Sequence, residues 1–337
     1  MASTKIPTAI RALLHDLKAQ TLSVGSIPTP SPSSTQYLVK SHAVGLTVGE
    51  LSWPRPEQFT VSSPGVEFVA TVVTSPSTSS TFQPGDEVYA RVTYPQSGAA
   101  RAYTLTSDDE IALRPKNISI TEAATIPVSA LTAWQVLFGQ FELDPPTPSS
   151  TKSSTKDIRI LITAASGNVG IWATQLAKLA GLHVIATAGT RNLDFVKSLG
   201  ADEVLDYSQT NIQAWIEEDP ESRKVDLVFD CIGQSALEQA WHAVKEGGKI
   251  LTIVPPADMQ WKWVIDRPKG VSETISGEFF VMHPSGEQLG QITALVEANK
   301  VKPLVDSVWK FDEYQQAFDR LASGKTAGKV VLRVDDE

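Results

Sequence analysis

One segment restricts the fold more than any other: an apolar strand pattern, a glycine-containing loop and a helix pattern follow one another without interruption. Residues 158–163 form an apolar run rich in isoleucine, and residues 169–180 repeat apolar side chains near the helical period of 3.6. The loop between them carries Gly167 and Gly170. This order of strand, glycine loop and helix is typical of the first βαβ unit of a dinucleotide-binding sheet.

The glycine loop has a physical reason to bind phosphate. Gly167 lets the backbone approach a pyrophosphate closely, and Gly170 lets the helix pack against the strand. The helix N-terminus adds free N–H groups and the positive end of the helix dipole. Ala165 replaces the first glycine of the usual fingerprint, so a plain tight turn is the alternative to dinucleotide binding.

The residues after the second predicted strand bear on which dinucleotide the loop holds. An NAD-specific site usually places Asp or Glu about twenty residues beyond the glycine loop, where it binds the ribose 2′-hydroxyl. Here that position is Thr187, and Arg191 follows. Because a guanidinium binds phosphate through charge-assisted hydrogen bonds, Arg191 favours the 2′-phosphate of NADPH. A solvated arginine at a helix start is the alternative.

The sequence pattern changes at about residue 120. Before it, short apolar runs are separated by turn sequences such as residues 62–65 and 84–86, which indicates a β-rich domain. After it, predicted strands alternate with predicted helices, which indicates a doubly wound parallel sheet. The fold class is therefore α/β, a β-rich domain plus a Rossmann domain. Residues 74–80 and 144–156, rich in Ser, Thr and Pro, are predicted loops.

Composition narrows the class of protein. A length of 337 residues suits two domains, and a net charge of −9 argues against a nucleic-acid partner. No apolar run is long enough to span a membrane. The single cysteine, Cys231, points to a reducing compartment, so we expect a cytoplasmic protein. The five histidines are scattered, with no helical i, i+4 pair that could hold a metal.

Several motifs follow one another in the order found in a known family. They are PGVEF (64–68), PGDEVYA (84–90), EAATIPVSALTAWQ (122–135), ASGNVG (165–170), SLGADEVLDY (198–207) and GKVVL (328–332). Together they resemble the zinc-free, quinone-reductase-like branch of the medium-chain dehydrogenases and reductases, including the stand-alone, trans-acting enoyl reductases of fungi. The resemblance implies a GroES-like catalytic domain, residues 1–123 and 283–337, and an inserted NADPH-binding Rossmann domain, residues 124–282.

The resemblance also assigns roles to individual residues. It places the pyrophosphate against residues 166–169, the 2′-phosphate against residues 190, 191 and 207, and the nicotinamide with its ribose against the others. The predicted cofactor-binding residues are Thr47, Glu50, Thr132, Ser166, Gly167, Asn168, Val169, Thr190, Arg191, Tyr207, Val254, Pro255 and Lys329. A buried aromatic is the alternative for Tyr207, and a surface cation on an edge strand is the alternative for Lys329.

This chain departs from the zinc-dependent relatives of the family. They carry Gly-His-Glu where this chain has Val66 in the middle position, and their first cysteine ligand falls in the stretch that contains Thr47. Their cysteine-rich structural lobe is also missing. The departures imply zinc-independent chemistry and no metal site. Thr47 also replaces an asparagine often found near the quinone-reductase active site, which weighs against quinone chemistry.

Without a metal or a Ser/His/Asp set, the chemistry must come from the cofactor. We expect an NADPH-dependent oxidoreductase that transfers a hydride to the activated double bond of an enone or enoyl thioester, as in fungal secondary metabolism. Thr47 or a backbone N–H is the predicted donor to the developing oxyanion, and the proton comes from solvent or from a tyrosine, with Tyr94 and Tyr103 as candidates. Trp53 is expected to line the substrate cleft, and a place in the core is the alternative. The alternatives are an NADPH:quinone oxidoreductase and, from another class, a non-catalytic NADPH-binding interaction protein.

Further predictions concern partners and loops. Residues 277–282 are expected to form an apolar strand on the edge of the parallel sheet; the alternative is that residues 279–282 pack into the core of their own domain or line the nicotinamide pocket. Since such an edge is normally covered or paired, we predict a homodimer through it, with a monomer as the alternative. The likeness to enoyl reductases adds a polyketide synthase as a candidate partner. Residues 261–275 are predicted to form a lid loop.

Overall fold

The computed structural model describes residues 6–76, 80–149, 157–255 and 263–335. The chain packs as two units: Met1–Leu131 with His283–Glu337, here called the β domain, and Thr132–Met282, here called the α/β domain. The first boundary falls after residue 131, where the sequence suggested residue 123. Parts of the predicted loops and lid, residues 77–79, 150–156, 261 and 262, lie outside the described residues.

The described residues form strands and helices in the following order. The strands are β1 (Ala9–Asp16), β2 (Thr21–Pro28), β3 (Tyr37–Gly45), β4 (Val61–Ser62), β5 (Glu67–Thr74), β6 (Glu87–Arg91), β7 (Tyr103–Thr106), β8 (Ile111–Leu113), β9 (Arg159–Ile162), β10 (His183–Ala188), β11 (Glu203–Asp206), β12 (Val225–Asp230), β13 (Val244–Thr252), β14 (Ser276–Phe279), β15 (Val305–Trp309) and β16 (Lys329–Arg333). The helices are α1 (Ile120–Ala123), α2 (Pro127–Trp134), α3 (Asn168–Leu179), α4 (Leu193–Ser198), α5 (Ile212–Glu218), α6 (Pro220–Arg223), α7 (Gln234–Ala243), α8 (Gly286–Glu297) and α9 (Tyr314–Ala322). None of these helices is long and apolar enough to cross a membrane.

The β domain is built from both ends of the chain. Its larger sheet has the order β15-β16-β3-β5-β6-β8, with β7 paired to β3, and its smaller sheet has the order β2-β1-β4. Strand β16 runs antiparallel to β3, with Val331 opposite Gly45. Phe68, Val44 and Leu332 are fully buried in the core that these sheets enclose. The GroES-like arrangement that the sequence predicted is therefore confirmed.

In the described part of the α/β domain, six strands form a parallel sheet in the order β11-β10-β9-β12-β13-β14. Counted from β9, this is the order 3-2-1-4-5-6 of the dinucleotide-binding fold. Leu161, Ile185 and Val228 fill its core with side chains that are fully buried. The positions of β9 and α3 agree with the sequence prediction to within one residue at each end, and the doubly wound sheet is confirmed.

Local sequence explains where the elements begin and end. Helix α1 begins with a capping box, in which Ser119 and Glu122 bond each other's backbone N–H groups. After α3 the chain turns at Gly181, whose φ of 88° is the left-handed conformation that favours glycine. Helix α2 continues directly into a π-helix, Gln135–Gln140. Strand β15 was not predicted, because its side chains are mostly half-buried and do not alternate.

The outer edge of β14 is covered by the same chain. Phe279 N donates to Trp263 O at 2.8 Å, and Ile265 N donates to Gly277 O at 3.1 Å. The Trp263 ring also stacks on Phe279, with 6.3 Å between the ring centroids. The expectation that residues 277–282 present a bare pairing edge is therefore corrected, because residues 263–265 occupy its hydrogen bonds. The homodimer stays a prediction.

Candidate functional site

The glycine loop places the N-terminus of α3 at the carboxyl end of β9. The N-cap residue Gly167 has extended backbone angles and no side-chain cap, so the first N–H groups of the helix are left for a ligand. A Cβ at Gly170 would lie 2.4 Å from Ala164 O, which is why the helix needs glycine there. Asn168 Oδ1, in the first turn, is buried without a hydrogen-bond partner. The uncapped N–H groups of this turn fit the pyrophosphate of a dinucleotide.

Thr187, on β10, accepts two hydrogen bonds from the glycine loop. Ala164 N donates to the Thr187 hydroxyl, and Ala165 N donates to the Thr187 carbonyl, both at 3.0 Å. Asn192 Nδ2 donates to the Ser166 hydroxyl at 3.1 Å, which ties the loop to the turn before α4. The position where an NAD-specific enzyme often carries an acid is thus a structural threonine in this chain.

A buried carboxylate organises the strand ends next to the loop. Asp230, at the end of β12, is fully buried and accepts hydrogen bonds from the Thr163 and Thr252 hydroxyls, both at 2.7 Å. Gly233 N donates to the same carboxylate at 2.9 Å. A Cβ at Gly233 would lie 2.9 Å from Val254, so the turn after β12 packs directly on a predicted nicotinamide-binding residue. Sequence reasoning missed Asp230, although its place at a strand end was a usable signal.

The predicted 2′-phosphate residues lie together, and an acid lies with them. Thr190 and Arg191 belong to a short 3-10 turn, Thr190–Asn192. Tyr207 is 66% exposed. Its hydroxyl lies beside Gly189, the residue before Thr190, and a Cβ at Gly189 would come within 2.9 Å of it. The Thr190 hydroxyl donates to Asp206 Oδ2 at 2.7 Å. Sequence reasoning missed Asp206, which reaches this place because β10 and β11 pair with Ala188 opposite Asp206.

In the β domain, Lys329 is buried rather than on the surface. Its ammonium pairs with Glu67, and the two side chains are 2% and 0% exposed. The Thr47 hydroxyl donates to Glu67 Oε1 at 3.2 Å and lies 3.3 Å from Lys329 Nζ. Val128 N donates to the second oxygen of Glu67 at 2.9 Å. The structure therefore joins two predicted residues, Thr47 and Lys329, through a third that the sequence analysis left without a role.

Glu50 lies on the other side of Thr47. Its carboxylate accepts the Thr47 N–H at 3.0 Å and the Gly65 N–H at 2.9 Å. Burial raises the pKa of Glu50 to about 7, against the opposing effect of these two N–H donors and of the Lys329 charge. Glu50 thus contacts the Thr47 backbone, and its role in cofactor binding stays a prediction.

The aromatic candidates separate into two places. Tyr94 and Trp53 form an edge-to-face pair with 6.2 Å between ring centroids, and the Arg55 guanidinium lies 5.3 Å from the Tyr94 ring centroid. Burial raises the pKa of Tyr94, and its hydroxyl is buried without a hydrogen-bond partner. Tyr103 lies on β7, opposite Lys40 in the first half of β3. Thr47 follows the other end of β3, so the strand pairing does not bring Tyr103 to Thr47.

Three further predicted cofactor residues are ordered in the α/β domain. Thr132 is buried in the last turn of α2, and Val254 N donates to the Thr252 hydroxyl at 3.1 Å. Pro255 follows and is exposed. Among the described residues, no group of three or more His, Cys, Asp and Glu side chains could hold a metal ion.

Comparisons with known proteins agree with this geometry. A family model described as "Zinc-binding dehydrogenase" matches residues 199–332. The "Probable zinc-binding oxidoreductase, mitochondrial" of Arthroderma benhamiae is 41% identical over 99% of this chain and 100% of its own length. The 2-methylene-furan-3-one reductase of Solanum lycopersicum is 33% identical over 80% of this chain and 63% of its own. The structure of the quinone oxidoreductase from Coxiella burnetii aligns with a TM-score of 0.78 and 25% identity, covering 97% of this chain and 100% of that one.

The chain belongs to the medium-chain dehydrogenase/reductase family, in its quinone-oxidoreductase-like branch. It is an oxidoreductase with a nicotinamide cofactor and a small-molecule substrate. The resemblance seen in the sequence motifs is therefore confirmed.

Proposed function

We propose that this oxidoreductase uses NADPH to reduce a carbon–carbon double bond conjugated to a carbonyl group, in an enone or an enoyl thioester, without zinc. The observation that carries the proposal is the Thr47 hydroxyl, which lies within hydrogen-bond distance of both members of the buried Lys329–Glu67 ion pair. Reduction of such a substrate places negative charge on its carbonyl oxygen. A hydroxyl backed by a buried ammonium is a suitable donor to that oxygen.

Bound NADPH would supply the hydride, and this chain's residues would bind and orient it. The uncapped N-terminus of α3 fits the pyrophosphate. Arg191, an exposed cation in the turn after β10, fits the 2′-phosphate. Lys329 neutralises Glu67 and keeps a proton donor close to Thr47 Oγ1.

The Thr47 hydroxyl can turn its proton from Glu67 to a substrate oxygen without leaving the Glu67 carboxylate unpaired. Thr47 Oγ1 has one proton, which it shares with Glu67 Oε1 at 3.2 Å. When a substrate oxygen takes that proton in a hydrogen bond, Glu67 still has the Lys329 ammonium and the Val128 N–H. The exchange therefore avoids the cost of an unpaired buried carboxylate.

A quinone is the second candidate substrate. It is a doubly conjugated enone, so the same hydroxyl would serve its carbonyl oxygen, and the Coxiella burnetii relative is named a quinone oxidoreductase. The reductase from Solanum lycopersicum is named for a methylene group conjugated to a ring ketone, which favours the enone. The homodimer, a cytoplasmic location and a polyketide synthase partner remain proposals that follow from the sequence.

The test is NADPH oxidation by the full chain with matched panels of enones, enoyl thioesters and quinones. Enones or enoyl thioesters should give the highest kcat/KM. Thr47→Val should lower kcat by about 10²–10³-fold, as loss of one oxyanion donor does, whereas Thr47→Ser keeps the hydroxyl and should lose far less. Equal activity of Thr47→Val and Thr47→Ser would overturn the role of Thr47. Higher kcat/KM for quinones would favour the second candidate, and oxidation with neither panel would favour the non-catalytic interpretation.

A further inference from the structure

The turn that carries Arg191 is tied to a carboxylate. Asp206 ends β11, next to the residue that ends β10, and its Oδ2 accepts the Thr190 hydroxyl at 2.7 Å. Its Oδ1 accepts the Ser208 N–H at 3.0 Å and the Ser208 hydroxyl as well. The Thr190 and Ser208 hydroxyl oxygens are themselves 2.8 Å apart. A negative charge thus lies among the residues to which the sequence assigned a 2′-phosphate.

The hydrogen-bond directions make this arrangement selective. A phosphate dianion can only accept hydrogen bonds, but the hydroxyl protons of Thr190 and Ser208 are already donated to Asp206. Those same bonds hold the pKa of Asp206 below its ordinary value, so the carboxylate is charged at neutral pH. A ribose 2′-hydroxyl, in contrast, carries a proton that a carboxylate can accept.

We propose that Asp206 is a coenzyme-selectivity residue, whose carboxylate favours the ribose 2′-hydroxyl of NADH and disfavours the 2′-phosphate of NADPH. This rests on the proposed function in one respect, that the α/β domain binds a nicotinamide dinucleotide. Arg191 and Asp206 then act in opposite directions: the guanidinium favours NADPH, the carboxylate favours NADH, and the chain binds both. The rule that places the acid about twenty residues after the glycine loop fails here because the acid comes from the next strand.

The experiment measures dissociation constants of the full chain for NADPH and NADH, and for the fragments 2′,5′-ADP and ADP, by calorimetric titration without substrate. Asp206→Asn should tighten NADPH and 2′,5′-ADP by about 3- to 15-fold at low salt, the range for removing one charge near a dianion in water. The same variant should weaken NADH and ADP, or leave them unchanged. Arg191→Ala should move the NADPH to NADH ratio the other way, by about 10- to 100-fold.

Two further variants separate charge from structure. Ser208→Ala removes a neutral partner of Asp206 and should change NADPH and NADH binding to the same extent. Asp206→Ser removes the charge with a different side chain, so the selectivity shift should recur even if one variant folds poorly. Loss of the NADPH gain at high salt would support the electrostatic cause.

The binding data distinguish failure of the Asp206 proposal from failure of the proposed coenzyme binding. If Asp206→Asn and Asp206→Ser bind NADPH and NADH in the wild-type ratio while the wild-type chain binds either coenzyme, Asp206 is not a selectivity residue and dinucleotide binding stands. If the wild-type chain binds no coenzyme and no fragment, the proposed function fails, and the role of Asp206 fails with it.

Discussion

Lys329 and Glu67 form an ion pair in which both partners are buried, at 2% and 0% exposure. Glu67 also accepts hydrogen bonds from the Thr47 hydroxyl and from Val128 N, at 3.2 and 2.9 Å. A buried carboxylate that loses its cation keeps its desolvation cost and gains nothing in return. The pair therefore holds Thr47 in place only while both charges are present.

Lys329→Met should lower the free energy of unfolding by about 3–5 kcal/mol, because Glu67 is left buried and unpaired. Chemical denaturation measures this change. The matched control is Lys178→Met, which breaks an ion pair with Asp202 whose side chains are 44% and 27% exposed, and it should cost less than about 1 kcal/mol. The double variant Lys329→Met, Glu67→Gln should recover part of the loss. Equal costs for the two lysine variants would contradict this account.

Glu50 should make stability fall as pH rises. Burial raises its pKa from 4.5 to about 7, so between these values the folded chain keeps a proton that the unfolded chain has lost. Stability attributable to Glu50 then declines from about pH 4.5 to 7, by about 3 kcal/mol at 1.36 kcal/mol per pH unit. Glu50→Gln should flatten this decline in denaturation experiments. Glu57→Gln, an exposed change in the same loop, should leave it as in the wild type. Parallel curves for wild type and Glu50→Gln would be the contrary result.

Asp230→Asn should loosen the coenzyme-binding end of the sheet. The change weakens hydrogen bonds from Thr163, Thr252 and Gly233, and should cost about 1.5–3 kcal/mol of stability for bonds to a charged group. Because Gly233 packs on Val254, the dissociation constant for NADPH should also rise. Asp226→Asn, at the opposite end of β12, should leave that constant unchanged. An unaltered NADPH constant in Asp230→Asn would remove Asp230 from the coenzyme site.

Purified protein should contain no stoichiometric zinc and should keep its activity in a chelator. Zinc sites need three or four Cys, His or carboxylate ligands. Here Val66, 1% exposed, is buried in the core where zinc-dependent relatives carry histidine, and Thr47 occupies the stretch of a cysteine ligand. Elemental analysis is the measurement. About one zinc per chain, lost together with activity, would show that a ligand set exists which neither sequence nor geometry revealed.

The α/β domain could be predicted closely because its signals are local. Residues 158–163 were predicted as a strand and Arg159–Ile162 is one, and the helix predicted from residue 169 begins at Asn168. For the β domain, the sequence predicted a β-rich fold but not the pairing of its strands. Its β3–β5 pairing changes register between Ser41 and Ala43, which a turn or an apolar pattern does not specify.

The site was predictable where one motif carries it. Gly167 and Gly170 belong to a single loop: Gly167 is the N-cap of α3, and Gly170 lies where a Cβ would meet the loop backbone, the close packing that its spacing indicated. Asp206 and Glu67 were missed because their contacts arise only in the tertiary structure. Asp206 meets Thr190 only through the register of β10 and β11, and Glu67 meets Lys329 only because the last strand of the chain joins the sheet of β3.

The fate of the transferred hydrogen distinguishes reduction of the double bond from the other reactions open to this enzyme. The full chain would be given NADPH deuterated at carbon four of the nicotinamide, on either face in turn, with the best enone of the panel. We expect deuterium from one face at the β-carbon of the saturated product, and an α-hydrogen that comes from solvent. Product without deuterium from either face, or deuterium on the carbonyl carbon of an allylic alcohol, would contradict reduction of the double bond by direct hydride transfer.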